Sequence, residues 1–293
     1  MTNLISRRGF VQGAALSAGA VALIRGGLLP TPTVAQGQMP AGTTVSFSKA
    51  GVAFHTYVSP AQAVNVTAHV IEMGDQLLVV DSTFLPPTAM EFAGLIASTG
   101  KPVHTAYVSH EHPDHWGGVS TLSDVSYVTL PEIREGLRAE ATNGENPEPT
   151  SLLNGADLAL GMREIGGVPV DFRAYDNAEA PKMIVAVLPE QKVAVVQDLV
   201  YNNVYFAPGI DRKNWIATLE SFRDDPSFET LLVGHGLPTT RGELDNAIAY
   251  LKTFDAAWDA GADPDAVSAA MAEAYPGYDG AFLLGLIGAY WDK

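Results

Sequence analysis

Three histidines and an aspartate able to bind a metal fall within six residues, in the stretch His110-Glu111-His112-Pro113-Asp114-His115. They come directly after an apolar, β-prone run, Val103-His104-Thr105-Ala106-Tyr107-Val108, and before Trp116-Gly117-Gly118. A fold that carries this stretch must end a rigid strand at an edge where a polar turn can gather ligands. In extended chain His110, His112 and Asp114 point to one side, because side chains alternate. His115 points to the other side unless the chain turns, and Pro113 with Gly117-Gly118 favours a turn. The spacing then suits two ions, with His110 and His112 on one and Asp114 and His115 on the other. Three of the seven histidines lie in these six residues, which sets the stretch apart from an ordinary charged surface loop.

The chain has no cysteine, so a metal site must be built from imidazole and carboxylate. Its 293 residues, 47% of them apolar, suffice for one large core with an appendage. The formal charge is −16; the first 35 residues hold Arg7, Arg8 and Arg25 and no acid, so a chain cleaved there carries −19. That charge argues against nucleic acid or an anionic membrane and leaves a small-molecule substrate as the expected partner. Ser6-Arg7-Arg8-Gly9-Phe10-Val11, an apolar run over residues 13–29 and Thr33-Val34-Ala35 read as a twin-arginine signal peptide covering residues 1–35. The run is short for a membrane span and is broken by glycines and Arg25. The expected location is periplasmic or extracytoplasmic, with the membrane met only through the export signal.

The pattern His110-x-His112-x-Asp114-His115 resembles the signature of the metallo-β-lactamase superfamily. The resemblance implies an α/β fold, an αββα four-layer sandwich over residues 43–260, with one or two ions at the sheet edge. Residues 261–293 would form a C-terminal helical extension. The remaining sequence fits that frame. Residues 43–59 read as one or two strands, and 64–71 and 76–81 as a hairpin around Gly74-Asp75. Helices are expected at 87–98, from Val119, at 131–142, at 214–224 and at 240–254. Strands are expected at 125–130, 163–175, 183–196 and 230–233, and a rim loop at 143–149. His55 and His69 read as hydrogen-bonded sheet histidines. Asp81-Ser82-Thr83 resembles the family's strand ending in which the Asp ties down the loop beside the metals.

Most superfamily members carry a further His-containing turn, but no His lies between His115 and His235. Ala178-Glu179-Ala180-Pro181 resembles the turn of the alkylsulfatase branch, where a Glu takes that ligand position. The resemblance therefore implies Glu179, with Asp176 as the alternative. Asp198 matches the Asp of a Gly-Asp pattern that bridges both metals; Gln197 replaces the Gly, which a side chain tolerates if its φ is negative. Gly234-His235-Gly236-Leu237-Pro238 resembles the turn whose His binds the second metal. The implied sets are His110, His112 and Glu179 on one ion and Asp114, His115 and His235 on the other, bridged by Asp198. Tyr201, Asn202 and Tyr205 follow closely enough to line the mouth, with core packing the competing role for the tyrosines.

Such a site implies an exported hydrolase whose two divalent ions share a hydroxide that attacks an ester-type centre, in a carboxylic ester, lactone or sulfate ester. Asp114 would steer that hydroxide. Zinc is the default for a His-rich site, and a Glu in place of one His makes manganese or iron more plausible than usual. The alternatives are an iron-dependent oxidoreductase on the same fold and a β-lactam hydrolase. Di-iron relatives place a Glu where His112 sits, and dedicated β-lactamases use a third His that is missing here.

Overall fold

The computed structural model describes residues 39–141, 149–209 and 211–291. The twin-arginine segment and residues 143–148 of the expected rim loop lie outside them. The first sheet runs in chain order, β1 (Thr43–Lys49), β2 (Val52–Val58), β3 (Thr67–Met73), β4 (Gln76–Val80), β5 (Val103–Tyr107) and β6 (Tyr127–Val128). The second runs β12-β11-β10-β9-β8-β7, with β7 (Gly161–Ile165), β8 (Val168–Asp176), β9 (Lys182–Leu188), β10 (Val193–Tyr201), β11 (Thr230–His235) and β12 (Thr239–Thr240). Strand β5 is parallel to β4 and β6, and β10 is parallel to β11; the other pairs are antiparallel.

Parallel neighbours need a crossover, and helices supply it. Helix α1 (Pro86–Ser98) joins β4 to β5. Three short helices follow: α2 (Pro113–Trp116), α3 (Pro131–Ala141) and α4 (Thr150–Leu153). Helix α5 (Arg212–Asp224) joins β10 to β11, and α6 (Gly242–Ala260), α7 (Pro264–Ala274) and α8 (Ile287–Tyr290) close the chain. Helix α1 buries Ala89, Phe92 and Ile96, spaced three and four residues apart, on the first sheet. Helix α5 does the same on the second with Trp215, Leu219 and Phe222. Removing one such aromatic ring costs about 3–5 kcal/mol.

The two-residue period of β9 separates the layers. Ile184, Ala186 and Leu188 join the core that includes the first sheet, whereas Met183, Val185 and Val187 join the core under α5 and α6. Strands buried on both sides read as continuous apolar runs, as Met183 to Leu188 does. The result is the four-layer αββα sandwich. Strand β8 runs in the same direction as β10, so the ends of β5, β8, β10 and β11 meet at one edge, and the ligand-bearing segments gather there.

Two local expectations differ from what forms. No helix starts at Val119; the helical turn is α2, inside the ligand stretch itself. Pro113 takes the first helical position, where its missing N–H costs nothing, and His112 ahead of it is extended (φ −68°, ψ 137°). Strand β6 spans two residues rather than six, because it pairs only with Ala106 and Tyr107 of β5. The C-terminal helices share the second core through Val267, Met271 and Ile287, and a bridge joins Val204 to Asp279.

Candidate metal centre

The turn after β5 sends His110 and His112 to one side and α2 carries Asp114 and His115 to the other. Trp116 Nε1 donates to Glu111 O at 2.8 Å and closes the turn on itself. Glu179 arrives from the β8–β9 turn, Asp198 from β10 and His235 from the end of β11. The seven side chains converge into two adjoining groups, His110, His112, Glu179 and Asp198 in one and Asp114, His115 and His235 in the other. Within each group the ligand atoms lie within 4.8 Å of one another.

His112 Nδ1 is 3.2 Å from Glu179 Oε1, and His110 Nε2 is 3.7 Å from Asp198 Oδ2. His235 Nε2 is 3.3 Å from both Asp114 Oδ2 and Asp198 Oδ2, and His115 Nε2 is 3.0 Å from Asp198 Oδ1. Ligands about 2.1 Å from a tetrahedral ion stand about 3.4 Å apart, so these separations fit shared cations. Asp198 reaches both groups: its Oδ2 lies near His110 and His235, and its Oδ1 lies near His115.

The tautomers point the same way. His115 Nδ1 donates to Asp81 Oδ2 at 2.7 Å, His235 Nδ1 donates to Val64 O at 2.7 Å, and His110 Nδ1 pairs with Ser109 Oγ at 2.9 Å. Each ring spends its Nδ1 proton on the scaffold and turns an Nε2 lone pair inward, as metal-bound imidazoles do. Four buried atoms here have no hydrogen-bond partner: Asp114 Oδ1, His115 Nε2, Glu179 Oε2 and Asp198 Oδ1. Each would cost about 1–3 kcal/mol if left so. Four in one place, three of them on carboxylates, fit a pair of cations.

The glycines around His235 have defined tasks. A Cβ on Gly234 would stand 1.7 Å from Asp198 Oδ1, so only glycine lets that carboxylate lie against β11. Gly236 has φ +91° and its hydrogen side faces Asn202 O.

The sequence model of the Metallo-beta-lactamase superfamily matches residues 61–235. This chain belongs to the metallo-β-lactamase superfamily. Its fold agrees with solved members. A metallo-beta-lactamase from Pontibacter korlensis aligns over 72% of this chain and 99% of its own at 19% identity, with a TM-score of 0.58. FIM-1 from Pseudomonas aeruginosa, solved in a mono-zinc form, aligns over 74% of this chain and 98% of its own at 18% identity, also with a TM-score of 0.58. At these identities the likeness concerns the fold. The alkyl/aryl-sulfatase BDS1 of Saccharomyces cerevisiae is 24% identical over 223 residues, 58% of this chain. The chain spans about a third, 34%, of that relative's length.

Of the two acidic residues that the turn after β8 offers this superfamily member, Glu179 enters the cluster and Asp176 does not. Asp176 is largely exposed and ion-pairs with Lys182. Tyr201 donates its hydroxyl to Asp198 Oδ2 at 2.7 Å and stacks on the His235 ring with centroids 4.8 Å apart. Asn202 lies beside it, donating its side-chain amide to Leu237 O at 2.9 Å. Tyr205 is brought elsewhere: its hydroxyl donates to Tyr275 O in the C-terminal segment, so it packs rather than lining the mouth.

Electrostatics follow from burial and the carboxylates. Burial opposes charge on His112, but Glu179 beside it wins and raises its pKa to about 9. Burial likewise opposes charge on His235, and Asp198 with Asp114 overrides it, to about 10. Burial raises the Glu179 carboxyl despite His112. The histidine charges around Asp198, His115 first, outweigh its burial and hold it well below the usual carboxylate range. Protons and cations therefore compete for the same inward-facing atoms.

Two residues near the cluster carry no ligand pattern. Gln197 does not have the negative φ that a side chain there prefers: its φ is +46°. His69, read as an ordinary sheet histidine, is fully buried and donates from Nε2 to Gln197 Oε1 at 2.8 Å. Burial lowers its pKa to about 4, so the ring is neutral. A glutamine where the resemblance expects glycine was the signal available in the sequence.

Proposed function

We propose that this chain is a dinuclear metal-dependent hydrolase of ester-type bonds, exported by the twin-arginine route to the periplasm or beyond. The observation that carries the reading is the carboxylate of Asp198, set between two donor groups and left with an unpartnered oxygen. His110, His112 and Glu179 would hold one ion and Asp114, His115 and His235 the other, with Asp198 between them. When bound, the two ions, zinc by default, supply an activated water and a Lewis acid for the substrate oxygen.

The chain's own part is orientation and proton handling. Asp81, Ser109 and Val64 O fix three imidazole tautomers, so no ring must reorient during turnover. The Tyr201 hydroxyl holds Asp198 Oδ2 in place. Asp114 Oδ1, buried without a partner, is placed to accept and hold a proton. Glu179 and His112 are the more exposed members of the cluster, at 10% and 23% side-chain exposure, and mark the side from which substrate approaches.

Of the candidate carboxylic esters, lactones and sulfate esters, the Glu179 turn favours sulfate and carboxylic esters, and the likeness to an alkyl/aryl-sulfatase supports the sulfate ester. A carboxylate in place of a third imidazole hardens that ion's surroundings and admits manganese or iron beside zinc. The test is the mature protein, analysed for metal and assayed on 4-nitrophenyl acetate, a γ-lactone, 4-nitrophenyl sulfate and a chromogenic cephalosporin. The expected result is two ions per chain, turnover of an ester-type substrate ahead of the cephalosporin, and loss of it in His110→Ala. Redox-active iron with no hydrolysis would replace the reading with an oxidoreductase. Replacing Arg7 and Arg8 by lysine should leave the precursor inside the cell; unchanged export would remove the twin-arginine assignment.

A further inference from the structure

Gln197 stands out in three ways. Its φ of +46° places a long side chain in the left-handed region, where a non-glycine residue costs on the order of 1–2 kcal/mol. It sits at an irregularity of β10, with register shifts on both sides, between Val195 and Gln197 and between Gln197 and Tyr201. Such bulges re-aim a side chain. Both ends of its buried amide are used: Nε2 donates to Asp81 Oδ2, and Oε1 accepts from His69 Nε2.

The partners lie on the opposite sheet. His69 is on β3 and Asp81 follows β4, whereas Gln197 is on β10. Beyond His69, Thr56 Oγ1 lies 3.0 Å from the ring Nδ1, which must accept because Nε2 donates. Thr67 Oγ1 is 3.2 Å from Nε2 and donates to Val233 O at 2.5 Å, two residues before His235. At the other end Asp81 is saturated. Its Oδ1 accepts from Ser109 N at 2.7 Å, and its Oδ2 accepts from Ser109 Oγ at 2.8 Å, from His115 Nδ1 at 2.7 Å and from Gln197. Ser109 in turn pairs with His110.

We propose that Gln197 and His69 are positioning residues of the metal centre: the buried chain Thr56–His69–Gln197–Asp81 ties one sheet to the other behind the cluster and fixes both the His115 ring and Asp198. This rests on the dinuclear reading above. The link to Asp198 is direct, since it is the next residue in the chain. Anchoring residue 197 to Asp81 therefore sets the 3.0 Å between Asp198 Oδ1 and His115 Nε2, the shorter of the two contacts that Asp198 makes with the closed half of the cluster. A glycine at 197 would carry no backbone strain and could make neither side-chain bond. The strain is retained because the amide connects the sheets.

The experiment is a zinc titration against a competing chromophoric chelator, with cobalt(II) spectra in parallel, on the wild-type chain, Gln197→Glu and Gln197→Gly. Glutamate keeps the volume and the bond from His69 but sets an acceptor against Asp81. Glycine relieves the φ strain. Both variants should bind the ion shared by His115 about ten- to a hundredfold more weakly, with an altered cobalt spectrum. Two ions bound by both variants within threefold of wild type, with an unchanged spectrum, would overturn the proposal while leaving the dinuclear reading intact. A wild-type chain that binds fewer than two ions would overturn both. Should the variants fail to fold, nitrogen-15 spectra of the wild type decide: His69 is expected as the neutral Nε2–H tautomer, and an Nδ1–H or charged ring would sink the relay.

Discussion

The two halves of the cluster are built differently. Asp114, His115 and His235 are at most 3% exposed, and both of their rings are pinned through Nδ1 to the scaffold. The half made by His110, His112 and Glu179 opens towards solvent at His112 and Glu179, and its carboxylate comes from a turn at the far end of β8. In the proposed reading the closed half grips its ion and the open half is the side that meets substrate. A neighbouring ion held by two imidazoles and a carboxylate of its own would be tuned through Glu179 without disturbing the closed half.

The largest effect should come from the residue common to both halves. Asp198→Ala should lose both ions and lower ester turnover by about a thousandfold, the equivalent of about 4 kcal/mol of transition-state stabilisation. Metal analysis showing one tightly held ion would mean that the halves do not share it. Gly234→Ala comes next. A Cβ 1.7 Å from Asp198 Oδ1 must displace that carboxylate, and a shift of about 1 Å should cost about a hundredfold in kcat/KM. A variant with wild-type kinetics would show that Asp198 moves freely.

Acidity should act on both halves. His112, raised to about 9 by Glu179 against burial, and His235, raised to about 10 by Asp198 and Asp114 against burial, must each lose a proton to bind metal at neutral pH. Zinc affinity should therefore rise with pH between 6 and 8, by about tenfold per unit for each proton displaced. Calorimetry in buffers of different ionisation enthalpy counts those protons; zero release would refute the pairing. In chelator-treated protein the signs are fixed as well. Both pKa values are raised on folding, so this stability is fully present below about 6.5 and is lost as pH climbs through 9 and 10. The smallest change should be Glu179→His, which gives the open half a third imidazole. It should raise the preference for zinc over manganese by about fivefold and leave the closed half alone.

How much of this was legible depended on sequence distance. Four ligands packed into six residues after an apolar run are visible without a structure, and so is an isolated Gly-His-Gly turn. Glu179 against Asp176 could not be decided by spacing, because a tight turn aims neighbouring carboxylates in opposite directions; Lys182 draws one of them away. The turn expected at Pro113 forms as the helical turn α2, because proline's fixed φ suits a first helical position, and no helix starts at Val119. Gln197 shows in the sequence only as a departure from the expected glycine; its pairing with His69 does not, since a positive φ and a bond between residues 128 apart leave no periodic mark. The contact of Tyr205 with the C-terminal segment is equally long-range.

The most direct measurement is anomalous diffraction from crystals of the mature, zinc-loaded protein. Two peaks are expected, one among His110, His112 and Glu179 and one among Asp114, His115 and His235, each within bonding distance of Asp198. A single peak, or ions bound away from Asp198, would contradict the account.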